Sequence, residues 1–177
     1  IETGARGAAL GGFTAVVCMP NTLPPLDDAA VVQSVLARGR TSVCDVHSSG
    51  CITKGREGRE LAPMGELYDL GVRIFTDDGD CVADAGVMRR ALEYASALPG
   101  AVIAQHAEDP TLVRGGHMHE GAWSARLGIA GRPATAESSI VARDLQLAAL
   151  AGGRYHVLHL SCATSADLVR AAKAAGI

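Results

Sequence analysis

Val72-Arg73-Ile74-Phe75-Thr76-Asp77-Asp78-Gly79 leads into an Ala- and Leu-rich stretch over 84–98, a Pro99-Gly100 stop, and then Ala101-Val102-Ile103-Ala104-Gln105-His106. Two short runs rich in β-branched residues flank a segment of helical length, so the unit reads as strand, helix, strand. Asp84 suits the N-cap of the helix, and Pro-Gly ends it. Two strands joined through a helix lie parallel in one sheet.

Outward from this unit the same alternation continues. Strand-like runs fall at 13–18, 42–46 and 155–158, and helical patterns at 2–10, 29–38, 58–70, 135–151 and 165–175. Asp27 or Asp28 suits the N-cap of the helix at 29–38, and Gly39, Gly71, Gly152 and Gly176 suit helix C-termini. The first four strand starts recur roughly every 29 residues, the size of one βα unit. The fifth is delayed by a Gly-rich segment, 109–133, which carries His117, His119 and Trp123 and reads as an elaborated βα loop with a short helix. Five βα units without an antiparallel signal predict an α/β protein, either part of a (β/α)8 barrel or a doubly wound sheet. No G-x-G-x-x-G follows the first strand, which weakens the second option.

Composition agrees. Apolar residues make up 48% and aromatics only 3%, so the core must be built from Ala, Val, Leu and Ile, as in a parallel sheet buried between helices. The net charge of −3 comes with no basic patch, which argues against nucleic acid, and no run approaches the ~18 apolar residues of a membrane span. The five cysteines form no C-x-x-C pair, which predicts free, mostly buried thiols in a reducing cytoplasm. The chain opens on Ile1-Glu2-Thr3 inside a helical pattern and closes on Ala174-Ala175-Gly176-Ile177, so it is expected to be a piece of a longer protein.

In either α/β architecture chemistry collects at the carboxyl ends of strands. There the sequence places Met19-Pro20-Asn21-Thr22, His47-Ser48-Ser49-Gly50, Thr76-Asp77-Asp78-Gly79, Gln105-His106 and His159-Leu160-Ser161. A carboxylate and two imidazoles on neighbouring strand ends suit Zn²⁺ or a similar divalent ion. One of Asp77 and Asp78 is expected to face the metal and the other to cap the turn that Gly79 permits. His156 reads as structural, His47 as a pocket-lining candidate, His117 and His119 as lid or surface residues, and Lys54 as a loop lysine.

The motifs Gly11-Gly12-Phe13-Thr14, Cys18-Met19-Pro20-Asn21-Thr22, Ile52-Thr53-Lys54-Gly55, Phe75-Thr76-Asp77-Asp78-Gly79, Gln105-His106-Ala107-Glu108-Asp109, His119-Glu120-Gly121, Ala142-Arg143-Asp144 and His156-Val157-Leu158-His159 resemble those of bacterial class I dihydroorotases, cyclic amidohydrolases. The resemblance runs the length of the chain. It implies a partial (β/α)8 TIM barrel that lacks its first and last strands, with residues 1–177 as the central part of one domain. It implies reversible hydrolysis of L-dihydroorotate to N-carbamoyl-L-aspartate in pyrimidine synthesis, by a metal-bound hydroxide on one or two Zn²⁺ ions. By position, Asp78 (rather than Asp77), His106 and His159 resemble metal ligands, and Asn21 resembles a residue that binds the substrate carboxylate. The family's H-x-H-x-R strand would precede Ile1 and its catalytic Asp would follow Ile177, so no catalytic residue is expected within 1–177 and the piece alone is expected to be inactive. A homo-oligomer and aspartate transcarbamoylase are the expected partners. The alternatives are a non-catalytic homologue serving as a structural partner of that enzyme, and a hydantoinase or allantoinase. The Asp-Asp-Gly motif and the lack of a lysine near the third or fourth strand end speak against the latter pair.

Overall fold

The computed structural model describes residues 1–177. Helix α1 (Glu2–Leu10) precedes β1 (Ala15–Cys18), α2 (Ala29–Gly39) and β2 (Asp45–Ser48). There follow α3 (Met64–Asp69), β3 (Ile74–Phe75), α4 (Ala85–Ser96) and β4 (Val102–Gln105). An inserted segment holds β5 (Met118–His119), α5 (Ala122–Leu127) and β6 (Gly131–Arg132), before α6 (Thr135–Ala151), β7 (Tyr155–Val157) and α7 (Ala163–Ala174).

All strand pairs are parallel: β1 with β2, β3 with β4, β4 with β7, and β5 with β6. Gly50 joins the first two sets. Its N–H donates to Ile74 O at 2.9 Å, and its carbonyl accepts from Thr76 N at 2.8 Å. The strands therefore follow one another side by side in chain order, β1, β2, β3, β4 and β7, as repeated βα units require. A side chain at position 50 would collide with Leu67 Cδ1 at 2.8 Å, so the crossing point needs glycine.

Helix starts follow local chemistry. Asp28 Oδ1 accepts from Ala30 N and Asp84 Oδ1 from Val87 N, each satisfying a free N–H of a first turn. Asp27 instead turns to the loop at Gly55, whose N–H donates to its Oδ2 at 2.7 Å. Gly152 ends α6 in the left-handed conformation, φ 65°. The core is largely aliphatic, with Leu26, Val32, Ile52, Leu67, Phe75, Leu92 and Ile103 fully buried or nearly so. Helix α4 packs on α6, and α6 on α7.

Four expectations change. The strand expected at 42–46 lies at Asp45–Ser48, because residues 41–44 form a turn in which Val43 is exposed. The helix expected over 58–70 is confined to Met64–Asp69. Gly58 is left-handed, Leu61 bridges antiparallel to Thr53, and Ala62 N donates to Ile52 O, so the chain up to Pro63 is a tied loop. Gly39 is the last residue of α2 rather than a cap beyond it, and a Cβ there would stand 2.8 Å from Val46 Cβ; the glycine lets α2 lie close on β2. All five cysteines are free, but only Cys51 is buried; the other four are half-buried. Burial pushes the Cys51 thiol up, and the Cys81 thiol up to about 11, so both stay protonated near neutral pH. No helix is long and apolar enough to cross a membrane.

Candidate metal centre

The register Phe75↔Ile103, extended past the strand ends, sets Asp78 opposite His106, and Gln105↔Val157 brings β7 and its following residues alongside. The backbone alone thus draws Asp78, His106 and His159 to one end of the sheet. Their ligand-type atoms all lie within 4.8 Å of one another. His106 Nδ1 and His159 Nε2 are 3.0 Å apart, His159 Nε2 and Asp78 Oδ1 3.2 Å, and His106 Nδ1 and Asp78 Oδ1 3.6 Å. The imidazole rings meet edge to face at 76°.

These distances suit a bound ion. Ligands at 2.0–2.1 Å in a tetrahedron stand about 3.3 Å apart, and the three edges bracket that value. Two imidazoles and one carboxylate form the three-ligand set that leaves a fourth position open. A cavity of about 500 Å³, lined by His106, Glu108, Arg132, His159 and Ser161 among others, opens beside them. His159 has φ +27°, a left-handed conformation uncommon for a residue with a side chain, and strain of this kind gathers at functional sites.

Asp77, next to Asp78, does different work. It is 1% exposed and accepts from Ile52 N at 2.8 Å, Thr53 N at 3.0 Å and the Thr53 hydroxyl. Burial holds its pKa above the ordinary carboxylate value, and these hydrogen bonds oppose that rise. Its side chain anchors the 52–53 loop instead of capping the turn, which is the correction to the expected role. The turn is held by Thr76 Oγ1, which accepts from Asp78 N, and by Asp80 N donating to Asp77 O.

Asn21 is exposed and lies over this turn, its Nδ2 3.4 Å from the place a Cβ on Gly79 would take. Arg56 reaches the same turn, donating from Nη1 to Asp78 O at 2.9 Å and pairing with Asp80. The remaining candidates stand apart from the triad. His47 is exposed on β2, within the strand rather than after it, and His156 is exposed on β7. His117 and His119, on the inserted segment, line the same cavity as His106 and His159 but are not members of the three-residue cluster. Lys54 sits in a 3-10 turn and pairs with Glu60.

Several residues around the triad went unassigned in the sequence. Glu108 Oε2 lies 3.4 Å from His106 Nε2 and its Oε1 2.9 Å from Arg132 Nη1. Glu137 accepts from the backbone N–H of Ser161 and of Cys162, just beyond His159. Behind His106, Gln105 and Tyr155 both donate to the buried carboxylate of Asp144, which Arg143 pairs at 2.7 Å. Glu108 and Gln105 carried a sequence signal as neighbours of a strand-end histidine, and Arg143 and Asp144 as part of a family-like motif; Arg132, Glu137 and Tyr155 act from distant elements.

An α/β fold of parallel strands with a two-histidine, one-carboxylate cluster at its strand ends defines the class, a barrel- or sheet-type protein able to hold a metal ion where hydrolytic chemistry is placed. The chain belongs to the dihydro-orotase-like family, whose model matches residues 1–165. It is 51% identical to a protein named dihydroorotase from Streptomyces coelicolor, over 100% of this chain and 42% of the relative. It is 50% identical to a dihydroorotase from Pelotomaculum thermopropionicum, over 100% of this chain and 41% of that protein. The chain thus spans about two fifths of the length of these curated relatives. Its backbone is also similar to a solved L-hydantoinase (dihydropyrimidinase) from Arthrobacter aurescens, with a TM-score of 0.79 at 23% identity, covering 99% of this chain and 40% of that one.

Proposed function

We propose that residues 1–177 are the central part of the (β/α)8 barrel of a zinc-dependent dihydroorotase, which opens and closes the cyclic amide of L-dihydroorotate. The observation that supports it most directly is the convergence of Asp78, His106 and His159 in a chain half identical to proteins of that name. In this reading these residues hold one or two zinc ions, and Asn21 binds the substrate carboxylate from beside the Asp78-Gly79 turn. A divalent ion bound there would acidify water and polarise the scissile carbonyl. The left-handed backbone at His159 aims its Nε2 at the shared point, and Arg56 fixes the carbonyl of Asp78 so that its carboxylate faces the two rings. In this reading an aspartate outside residues 1–177 would take the proton from the attacking water and deliver it to the leaving ring nitrogen. In the intact protein, association with a like copy or with aspartate transcarbamoylase would serve pyrimidine synthesis in the cytoplasm.

The test is turnover of L-dihydroorotate by the intact protein, with hydantoin and allantoin as rival substrates. Activity on dihydroorotate alone, lost with a chelator and restored by Zn²⁺, is expected. Asp78→Ala should abolish both tight metal binding and turnover, and residues 1–177 by themselves should turn over nothing. Metal content and turnover that survive in Asp78→Ala would refute the ligand assignment. An intact protein inert towards dihydroorotate that still binds aspartate transcarbamoylase would mark a non-catalytic homologue.

A further inference from the structure

Glu108 folds back on His106 from two residues away. Its Oε2 meets His106 Nε2, and its Oε1 accepts from Arg132 Nη1. Arg132 also donates from Nε to Gly116 O at 2.9 Å. A polar series therefore runs from the backbone of the inserted segment, through a guanidinium and a carboxylate, to the ring that points Nδ1 at Asp78 and His159.

The order of groups in that series decides a proton's place. A neutral imidazole has one N–H and one lone pair, and whatever holds one nitrogen sets the role of the other. A carboxylate at Nε2 keeps the N–H there. The lone pair is then left at Nδ1, the nitrogen 3.0 Å from His159 Nε2. The opposite tautomer would aim a lone pair at the carboxylate and a proton into the triad.

Arg132 is itself set by the segment's architecture. It lies in β6 opposite His119, and its carbonyl accepts from Glu120 N at 2.9 Å. A Cβ on Gly116 would stand 2.6 Å from Arg132 Cγ, so the backbone at 116 packs against the arginine stem with room for glycine alone.

We infer that Glu108 and Arg132 are positioning residues for the metal centre, and that the inserted segment and His106 are coupled through them. The segment, when formed, sets the His106 tautomer, and an ion on the triad stabilises the segment by the same free energy. This rests on the metal reading of Asp78, His106 and His159. The plain alternative is a surface ion pair, for the Glu108 and Arg132 side chains are 30% and 47% exposed, and such pairs contribute little on their own.

The test uses the intact protein with Glu108→Ala, Glu108→Gln and Arg132→Ala, each checked for a wild-type melting profile so that a folding defect is seen as such. In the metal-free wild type, long-range ¹H–¹⁵N spectra should show the His106 proton on Nε2; in Glu108→Ala the tautomers should mix. Competition with a chromophoric chelator should show Zn²⁺ bound roughly 10- to 100-fold more weakly by Glu108→Ala. Glu108→Gln, which keeps an acceptor oxygen, should fall between. Trp123, the one tryptophan of residues 1–177, sits on α5 within the segment. Zn²⁺ should slow amide exchange over 118–132, Trp123 included, in the wild type but not in Arg132→Ala. If the wild type binds Zn²⁺ tightly and the well-folded variants match it in affinity and tautomer, the positioning role is overturned while the metal reading stands. If the wild type binds no divalent ion, both fall.

Discussion

Glu137, in the first turn of α6, holds Ser161, two residues past His159. The carboxylate accepts from the Ser161 N–H at 2.9 Å and from its hydroxyl, and the Cys162 N–H donates to the other oxygen at 3.1 Å. Burial would raise the Glu137 pKa, but the hydrogen bonds from Ser161, Ser165 and Cys162 outweigh it and hold the carboxyl below its ordinary value. A group whose folded pKa is depressed contributes stability above its unfolded pKa and loses it as pH falls through the folded value. Glu137→Gln should therefore cost about 1 kcal/mol at neutral pH, a modest figure because the site is partly exposed. The gap between wild type and variant in urea unfolding should close below about pH 4.3. A gap that widened on acidification would contradict this.

The adjacent aspartates should separate cleanly. Asp77→Asn places an amide N–H against donors at Ile52 and Thr53 and should destabilise the fold by about 2 kcal/mol while metal stoichiometry is kept. Asp78→Asn should do the reverse, with little loss of stability and a large loss of metal affinity. Chemical denaturation together with metal analysis on both variants decides the matter.

Gly50→Ala tests the junction of the strand sets. The added methyl meets Leu67 at 2.8 Å and the Phe75 ring at 3.3 Å. Overpacking of this kind costs about 1–3 kcal/mol, read as a lower urea midpoint at an unchanged slope.

Asp144→Asn keeps shape but removes the charge that Arg143 pairs and weakens the acceptor shared by Gln105 and Tyr155. The new amide N–H faces the donors Gln105, Tyr155 and Arg143, and this mismatch should cost about 2 kcal/mol, limited because Arg143 keeps the Val82 and Ala83 carbonyls. Burial raises the Asp144 pKa, so here the sign is opposite to Glu137: the wild type should gain on the variant as pH falls through the folded value.

The triad was legible because its members follow strand ends in a parallel sheet, read from the alternation of β-branched and Ala/Leu-rich runs; position left Asp77 and Asp78 both open, and the choice of Asp78 rested on the motif's resemblance. The strand at Asp45–Ser48 was harder to place. Val43 and Cys44 have strand propensity, but the pairing Ala15↔Asp45 and the bond from Gly50 to Ile74 set the register, and both partners are remote in sequence. The truncated start of α3 reflects a tertiary tie, Ala62 N to Ile52 O, that outweighs local helix propensity. Arg132 and Glu137 escaped notice because each acts on a residue 24 positions away, where no spacing rule applies.

The pairing of Met118–His119 with Gly131–Arg132 makes the chain leave and rejoin at neighbouring points. Residues 120–130 therefore form a cassette whose two ends are already fixed together. The entropy of closing a loop grows only with the logarithm of its length. This stretch can be lengthened, shortened or exchanged at small cost, with His106 and His159 on either side of it left where they are. It is the natural place for the chain to vary, because the cavity walls at Met118, His119 and Arg132 stand at its fixed ends.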